Sequence, residues 1–291
     1  MKKTYLGPSG ATFSAIAFGK MAEIFEIQDI VEGAEEKLAA TNEGIVPLVV
    51  SHGGYGVIAM ETKSGGRVDP PVNSFIGLLE SFQDSDCPIG VAGALRMKID
   101  FALMARTGNS LQGLKAVMGH PKAIGACKNR LKELGVPVVE ADSNGKAAED
   151  VARNPDFSEM GALAPMEAAT KYGLAVLAEV FQDEEAITTF FMLGPRTWKP
   201  WKPLLISCQQ RALLVFSVRH VPGALARALL SFGDKMLNLI HVHSLYVGNG
   251  HYDFAAELEF DASQTDDYNN ALAEAKEHMG KYINFGPFPV L

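Results

Sequence analysis

The chain has 291 residues, a formal net charge of -8, and 47% apolar against 21% charged residues. Length and ordinary globular composition point to two domains with sizeable cores. The acidic balance argues against non-specific nucleic-acid binding, which needs a cationic surface, although one pocket can still be locally positive.

Lys3 to Leu6 reads as a short strand, Gly7 to Gly10 as a turn, and Thr12 or Ser14 as the cap of a helix running through Phe18 to Phe25. Lys2 and Lys3 resemble a signal-peptide opening, but the Gly/Pro turn interrupts the apolar core such a peptide needs. Glu43 to Val50 reads as a buried strand, broken by Gly53, Gly54 and Gly56. Strands follow at Cys87 to Ala94, Ile99 to Arg106 and Leu114 to Met118, the last ending at Gly119-His120-Pro121. An amphipathic helix is expected over Lys122 to Leu134, a strand over Val136 to Glu140 and a helix over Asn144 to Arg153. Gly161 to Ala164 is a strand, Met166 to Tyr172 a helix, and Ala175 to Phe181 and Ile187 to Leu193 are strands.

Pro195 to Pro203 looks like a linker, and the pattern then restarts. Ala212 to Val218 (strand), Pro222 to Gly233 (helix), Leu237 to Val247 and Tyr252 to Phe260 (a hairpin turning at Gly248-Asn249-Gly250), Thr265 to Met279 (helix) and Tyr282 to Phe285 (strand) spell βαββαβ. That is a ferredoxin-like module. The first part alternates strands and helices, which predicts an α/β fold with a largely parallel sheet and ligands at strand C-terminal ends. Cys87, Cys127 and Cys208 have no zinc or disulfide spacing and read as free, mostly buried thiols. No run of ~18 apolar residues offers a membrane span, so a cytoplasmic protein is expected.

Several segments resemble the prephenate dehydratase family, in its order. Tyr5 to Ser14 is similar to the family's opening Y-L-G-P-x-G-T-F-S, with one residue inserted. Gly44 to Pro47, His120-Pro121-Lys122-Ala123, Tyr172-Gly173-Leu174, Gln182-Asp183, Thr188-Thr189-Phe190 and Val221 to Leu225 resemble later motifs. The resemblance implies a two-lobed, periplasmic-binding-protein-like catalytic domain over 1–196, with lobes of about 1–106 plus 175–196, and 107–174. An ACT regulatory domain over 204–291 follows. It implies decarboxylation and dehydration of prephenate to phenylpyruvate, on the route to phenylalanine, without metal or organic cofactor. It also implies feedback by phenylalanine and a homodimer or homotetramer formed through ACT pairing.

Carried onto this chain, the resemblance makes Thr188 the hydroxyl that assists the departing oxygen. Substrate contacts are expected from Gly10, Thr12, Ser14, Ser51, Thr189 and Phe190, and effector contacts from Gly223, Ala224, Leu225, His243 and Ser244. His120 is expected to fix a helix start. The Arg of the family's Thr-Arg-Phe is replaced by Thr189, and its Glu-Asn-Ser reads Val49-Val50-Ser51 in this alignment. The ACT signature Glu-Ser-Arg-Pro reads His243-Ser244-Leu245-Tyr246. Lys20, Arg96, Lys98, Lys122 and His52 are the candidates for a compensating cation. A non-aromatising prephenate decarboxylase and a non-catalytic small-carboxylate sensor are the alternatives.

Overall fold

A computed structural model describes residues 1–7, 11–62, 66–67, 69–198 and 209–291. In chain order the first part runs β1 (Lys2–Leu6), α1 (Phe13–Ile24), α2 (Gln28–Val31), β2 (Glu35–Ala39), α3 (Ile45–His52), β3 (Tyr55–Thr62), β4 (Gly66–Arg67), α4 (Asp69–Ile76) and β5 (Ile89–Ile99). The middle runs β6 (Ala102–Ala105), β7 (Ala116–Gly119), α5 (Pro121–Ala126), α6 (Lys128–Leu134), β8 (Val138–Glu140), α7 (Asn144–Arg153), β9 (Met160–Ala164), α8 (Met166–Tyr172) and β10 (Ala175–Ala178). β11 (Ala186–Pro195) then precedes β12 (Gln209–Val218), α9 (Ala224–Gly233), β13 (Asn238–Gly248), β14 (His251–Asp261), α10 (Thr265–Lys276), β15 (Met279–Asn284) and β16 (Phe288–Pro289).

The first lobe is a sheet of order β2-β1-β3-β11-β5, with β4 on β3. β1 is parallel to β2 and β3, whereas β11 is antiparallel to β3 and β5. The second lobe has order β10-β6-β9-β7-β8 and is also mixed. The expectation of a largely parallel sheet is thus corrected: β11 returns from the second lobe and inserts antiparallel between two strands of the first. Pairing also moves the lobe boundary. β6 and β10 belong with β9, so the second lobe spans about 102–178 rather than 107–174. The chain crosses between lobes at Ile99–Ala102 and Ala178–Ala186.

The expected strand over Glu43 to Val50 is a helix. Ile45, Val46 and Val49 are buried while Pro47 and Ser51 are exposed, which is one helical face. Pro47 sits in the first turn, where its missing N–H costs no hydrogen bond. A short apolar run does not by itself separate a buried strand from a buried helix. The strand lies one segment later, as β3, behind the glycines. Gly54 has φ +91°, and a Cβ there would stand 2.2 Å from the Lys2 carbonyl oxygen, so this crossing against β1 requires glycine. The helix expected over Lys122 to Leu134 is interrupted at Cys127. At the linker, Trp198 packs edge-on against Tyr55 at 4.6 Å. Residues 199–208, including Cys208, lie outside the described residues.

The C-terminal sheet has order β13-β14-β12-β15, the ferredoxin-like arrangement expected. One face holds α9 and α10 over Leu214, Phe216, Ala256 and Leu258. The other face carries Leu213, Val215 and Ala255 into a core shared with Ile58, Met60, Phe191 and Leu193 of the first lobe. Phe288 meets Phe191 at 5.0 Å, and the Leu291 N–H donates to the Ala94 carbonyl at 2.8 Å. The C-terminal domain is therefore docked by a whole sheet face. Among the described residues, no helix is long and apolar enough to cross a membrane.

Candidate functional site

β1 and β3 are parallel, so their C-terminal ends share one edge of the first sheet, where antiparallel β11 begins. Three threonines lie at or beyond these ends, two of them in contact. Thr12 follows β1 and caps α1, Thr62 ends β3, and Thr188 lies near the start of β11. The Oγ1 atoms of Thr188 and Thr62 are 3.0 Å apart, and Thr188 is 6% exposed. A hydroxyl pair consumes one proton internally, so one O–H remains to donate outward.

The Thr12 hydroxyl is committed. It donates to the Leu6 carbonyl at 2.8 Å and accepts the Ala15 N–H at 3.3 Å. A helix cap and a tie to the end of β1, rather than ligand contact, account for the two bonds. Ser14 is buried in the first turn of α1. The early N–H groups of this helix, at Phe13 and Ser14, are its anion-attracting feature. Gly10 lies outside the described residues. Ala11 is buried among Ala102, Met104 and Ala162 of the second lobe, and Phe13 meets Phe101 at 5.3 Å. The α1 start thus sits at the junction of the lobes.

Across the junction, His120 caps α5, its Nδ1 accepting the Lys122 N–H at 3.2 Å, as the sequence led us to expect. Burial, and then Lys122, hold its pKa below the ordinary histidine value. Ser143 caps α7 in the same way, and the Asn144 side chain accepts the His120 N–H.

Other expected contacts are not brought together. Ser51 is exposed on the last turn of α3, its hydroxyl donating to the Leu48 carbonyl. It lies beside the start of β3, whose eight residues separate it from Thr62 by about 25 Å at ~3.3 Å per residue. His52 shares that far end, in an open depression with Lys2, Glu35 and Tyr55. Phe190 is 2% exposed and belongs to the core under α1. Thr189 points to the opposite face from Thr188, and its hydroxyl donates to Glu61 Oε1 at 3.0 Å. Of the candidate cations, Arg96 is held by Glu259 at 2.6 Å and by Gln209, and Lys98 by Asp100 at 3.3 Å. Lys20 and Lys122 are exposed.

Gly223 precedes α9 with φ +78°, a conformation that favours glycine, followed by buried Ala224 and by Leu225, which packs into the helix-side core. Ser244 follows the same helix side of β13, whereas His243 faces the first lobe and bonds Asn73 Oδ1 at 2.9 Å. His243 is therefore separated from Gly223 by the sheet.

Sequence reasoning missed four participants. Asn42 clamps the Ala59 backbone through both amide atoms, at 2.6 and 3.2 Å, beside a bulge in the β3–β11 ladder. Glu61 and Thr62 close β3 and contact the two threonines of β11. Arg211 of the C-terminal domain reaches Glu61 at 3.2 Å. An acidic-polar pair closing the apolar run Val57 to Met60 was the available signal for Glu61-Thr62. Among the described residues, no group of three or more His, Cys, Asp or Glu is clustered to hold a metal.

Comparison with known proteins adds the family. The chain is 28% identical over 246 residues to the prephenate dehydratase of Methanocaldococcus jannaschii, covering 83% of each chain. The Arthrobacter aurescens prephenate dehydratase solved with L-Phe superposes with TM-score 0.78 at 21% identity, over 99% of this chain and 90% of that one. A protein described as a novel type of quorum-quenching acylase superposes with TM-score 0.77 at 20% identity, over 100% and 98%. At these identities the two superpositions show the fold alone. The chain spans about half the length of the plant arogenate dehydratases it matches. The family described as Prephenate dehydratase matches residues 4–197, two thirds of the chain, which therefore belongs to the prephenate dehydratase family.

Proposed function

We infer that the chain is a carbon–oxygen lyase that decarboxylates and dehydrates prephenate to phenylpyruvate. The observation carrying this reading is the Thr188–Thr62 hydroxyl pair, on the same edge of the first sheet as the α1 N-terminus. Loss of CO2 supplies the electron pair that aromatises the ring, and the ring hydroxyl leaves. Thr62 donating to Thr188 leaves the Thr188 proton for the departing oxygen, and the α1 N–H groups attract a carboxylate. In this reading Glu61-Thr62, not Val49-Val50, stands where the family has Glu-Asn.

Phenylalanine as effector, a homodimer or homotetramer and a cytoplasmic setting complete the proposal. The edge position of β13, with exposed Val242, Tyr246 and Val247, supports pairing between copies.

The test is prephenate turnover by the purified protein, with absorbance and mass spectrometry of the product. Phenylpyruvate, lost in Thr188→Val, is the expected result. A non-aromatic decarboxylated product would replace this reading with the decarboxylase, and binding without turnover with the sensor.

A further inference from the structure

The first two residues of the β3–β11 ladder stand apart from the rest. Thr188 pairs with Thr62 and Thr189 with Glu61, and a bulge then shifts the register before Phe190. A bulge breaks ladder regularity and re-aims the residues beyond it. On the β3 side the pairs that carry the hydroxyls are thus offset from the rest of the ladder, whereas the β11–β5 register runs unbroken from Ala186 to Met192.

What grips this edge comes from the C-terminal domain. Arg211 is 4% exposed on the face of β12 that meets the first lobe. Its Nε donates to Glu259 at 2.8 Å, and its Nη1 donates to Glu257 at 3.0 Å and to Glu61 at 3.2 Å. Glu61 also accepts the Thr189 hydroxyl. Arg96, the cross-strand partner of Thr189, reaches Glu259. Burial opposes the Arg211 charge, but the carboxylates of Glu257, Glu259 and Glu61 outweigh it and hold the guanidinium's pKa above the ordinary arginine value. A guanidinium fixed by two carboxylates of its own sheet is a rigid donor, whose planar fork sets the position of the third.

We propose that Arg211 is a positioning residue contributed by the C-terminal domain, acting through Glu61 and Thr189 to hold the Thr62–Thr188 hydroxyl pair in register. Glu61 and Thr62 are adjacent, as are Thr189 and Thr188, so fixing one cross-strand pair on the lower face fixes the other on the upper face. A shift of β12 against the first lobe then reaches the hydroxyls through two hydrogen bonds. This deepens the prephenate reading and rests on it for the kinetic arm of the test.

Substituting Arg211 outright leaves Glu257, 1% exposed, without its guanidinium, and the domain can unfold. The test therefore uses Glu61→Gln, Thr189→Val, Thr189→Ser, the double variant Glu61→Gln/Thr189→Val, and Arg211→Lys. Each is measured for kcat and KM on prephenate and for amide hydrogen exchange. Glu61→Gln and Thr189→Val are expected to lower kcat ~10-fold with KM nearly unchanged. Thr189→Ser restores kcat, and the double variant is no worse than either single one. Unchanged kcat, or fully additive losses, would overturn the relay. Should the wild type not turn over prephenate, the functional reading fails and exchange decides the relay alone. Amides at 61–62 and 188–189 are expected to exchange ~10-fold faster in Arg211→Lys, with those of β6, β7 and β9 unchanged. Equal exchange at the edge would reject the proposal.

Discussion

Thr188 and Thr189 are chain neighbours with opposite surroundings. Thr188 shares its face with Phe190 and Met192, towards α1, and keeps a hydroxyl partner of its own kind. Thr189 shares its face with Phe191 and Leu193, towards the C-terminal domain, and meets a carboxylate bound by a buried guanidinium. The alternation of a strand turns one dipeptide into two devices, one facing the lobe junction and the other facing the C-terminal domain. A neutral hydroxyl pair can yield a proton to a ligand. A charged cluster buried between domains can only hold position.

That contrast can be broken at either face. The largest effect is expected from Arg211→Met, which takes the guanidinium away from buried Glu257 and should cost about 3–5 kcal/mol in a denaturant titration. Glu61→Gln, with its side chain 34% exposed, should cost far less in the same titration. Next comes Thr188→Val, which keeps shape but removes the proton. It should lower prephenate turnover ~10²-fold or more while leaving the melting temperature nearly unchanged, read by steady-state kinetics and calorimetry. Thr12→Ala removes a cap and should cost about 1 kcal/mol by thermal melting, whereas Thr12→Ser should be close to neutral.

The smallest effect concerns His120. Its pKa is depressed by burial, so the unfolded chain binds the proton more readily. The neutral cap's contribution is whole above the unfolded value of about 6.5 and is lost as pH falls below it. Melting temperatures between pH 7.5 and 5.5 should therefore diverge less in His120→Asn than in the wild type.

Much of the fold was legible because local signals agreed. Asn144–Arg153 and Met166–Tyr172 have the expected bounds, since Ser143 caps the first and Gly173, in the left-handed region, closes the second. The βαββαβ module followed from its hairpin turn and alternating strands. α3 was misread because Val and Ile favour strands, and only its surroundings made the run helical. β2 escaped because Glu35-Glu36-Lys37 gives an edge strand no apolar alternation. At the site, the Thr188 segment could be found by resemblance. Glu61 and Thr62 were passed over because the Glu-Asn-Ser counterpart was sought at Val49-Val50-Ser51, one element earlier. Arg211 carried no local signal, since its partners are 46, 48 and 150 residues away in sequence.

The place of β11 also sets an order of events during synthesis. It is the inner strand between β3 and β5, yet it is made only after the entire second lobe. Until it emerges, β3 and β5 each lack their partner on that side. The nascent first lobe is thus a partial sheet ending at β3 with β5 still outside it, waiting through more than eighty residues of translation. The second lobe, whose strands all lie between Ala102 and Ala178, can complete its sheet first. The first lobe to be translated is the last able to close.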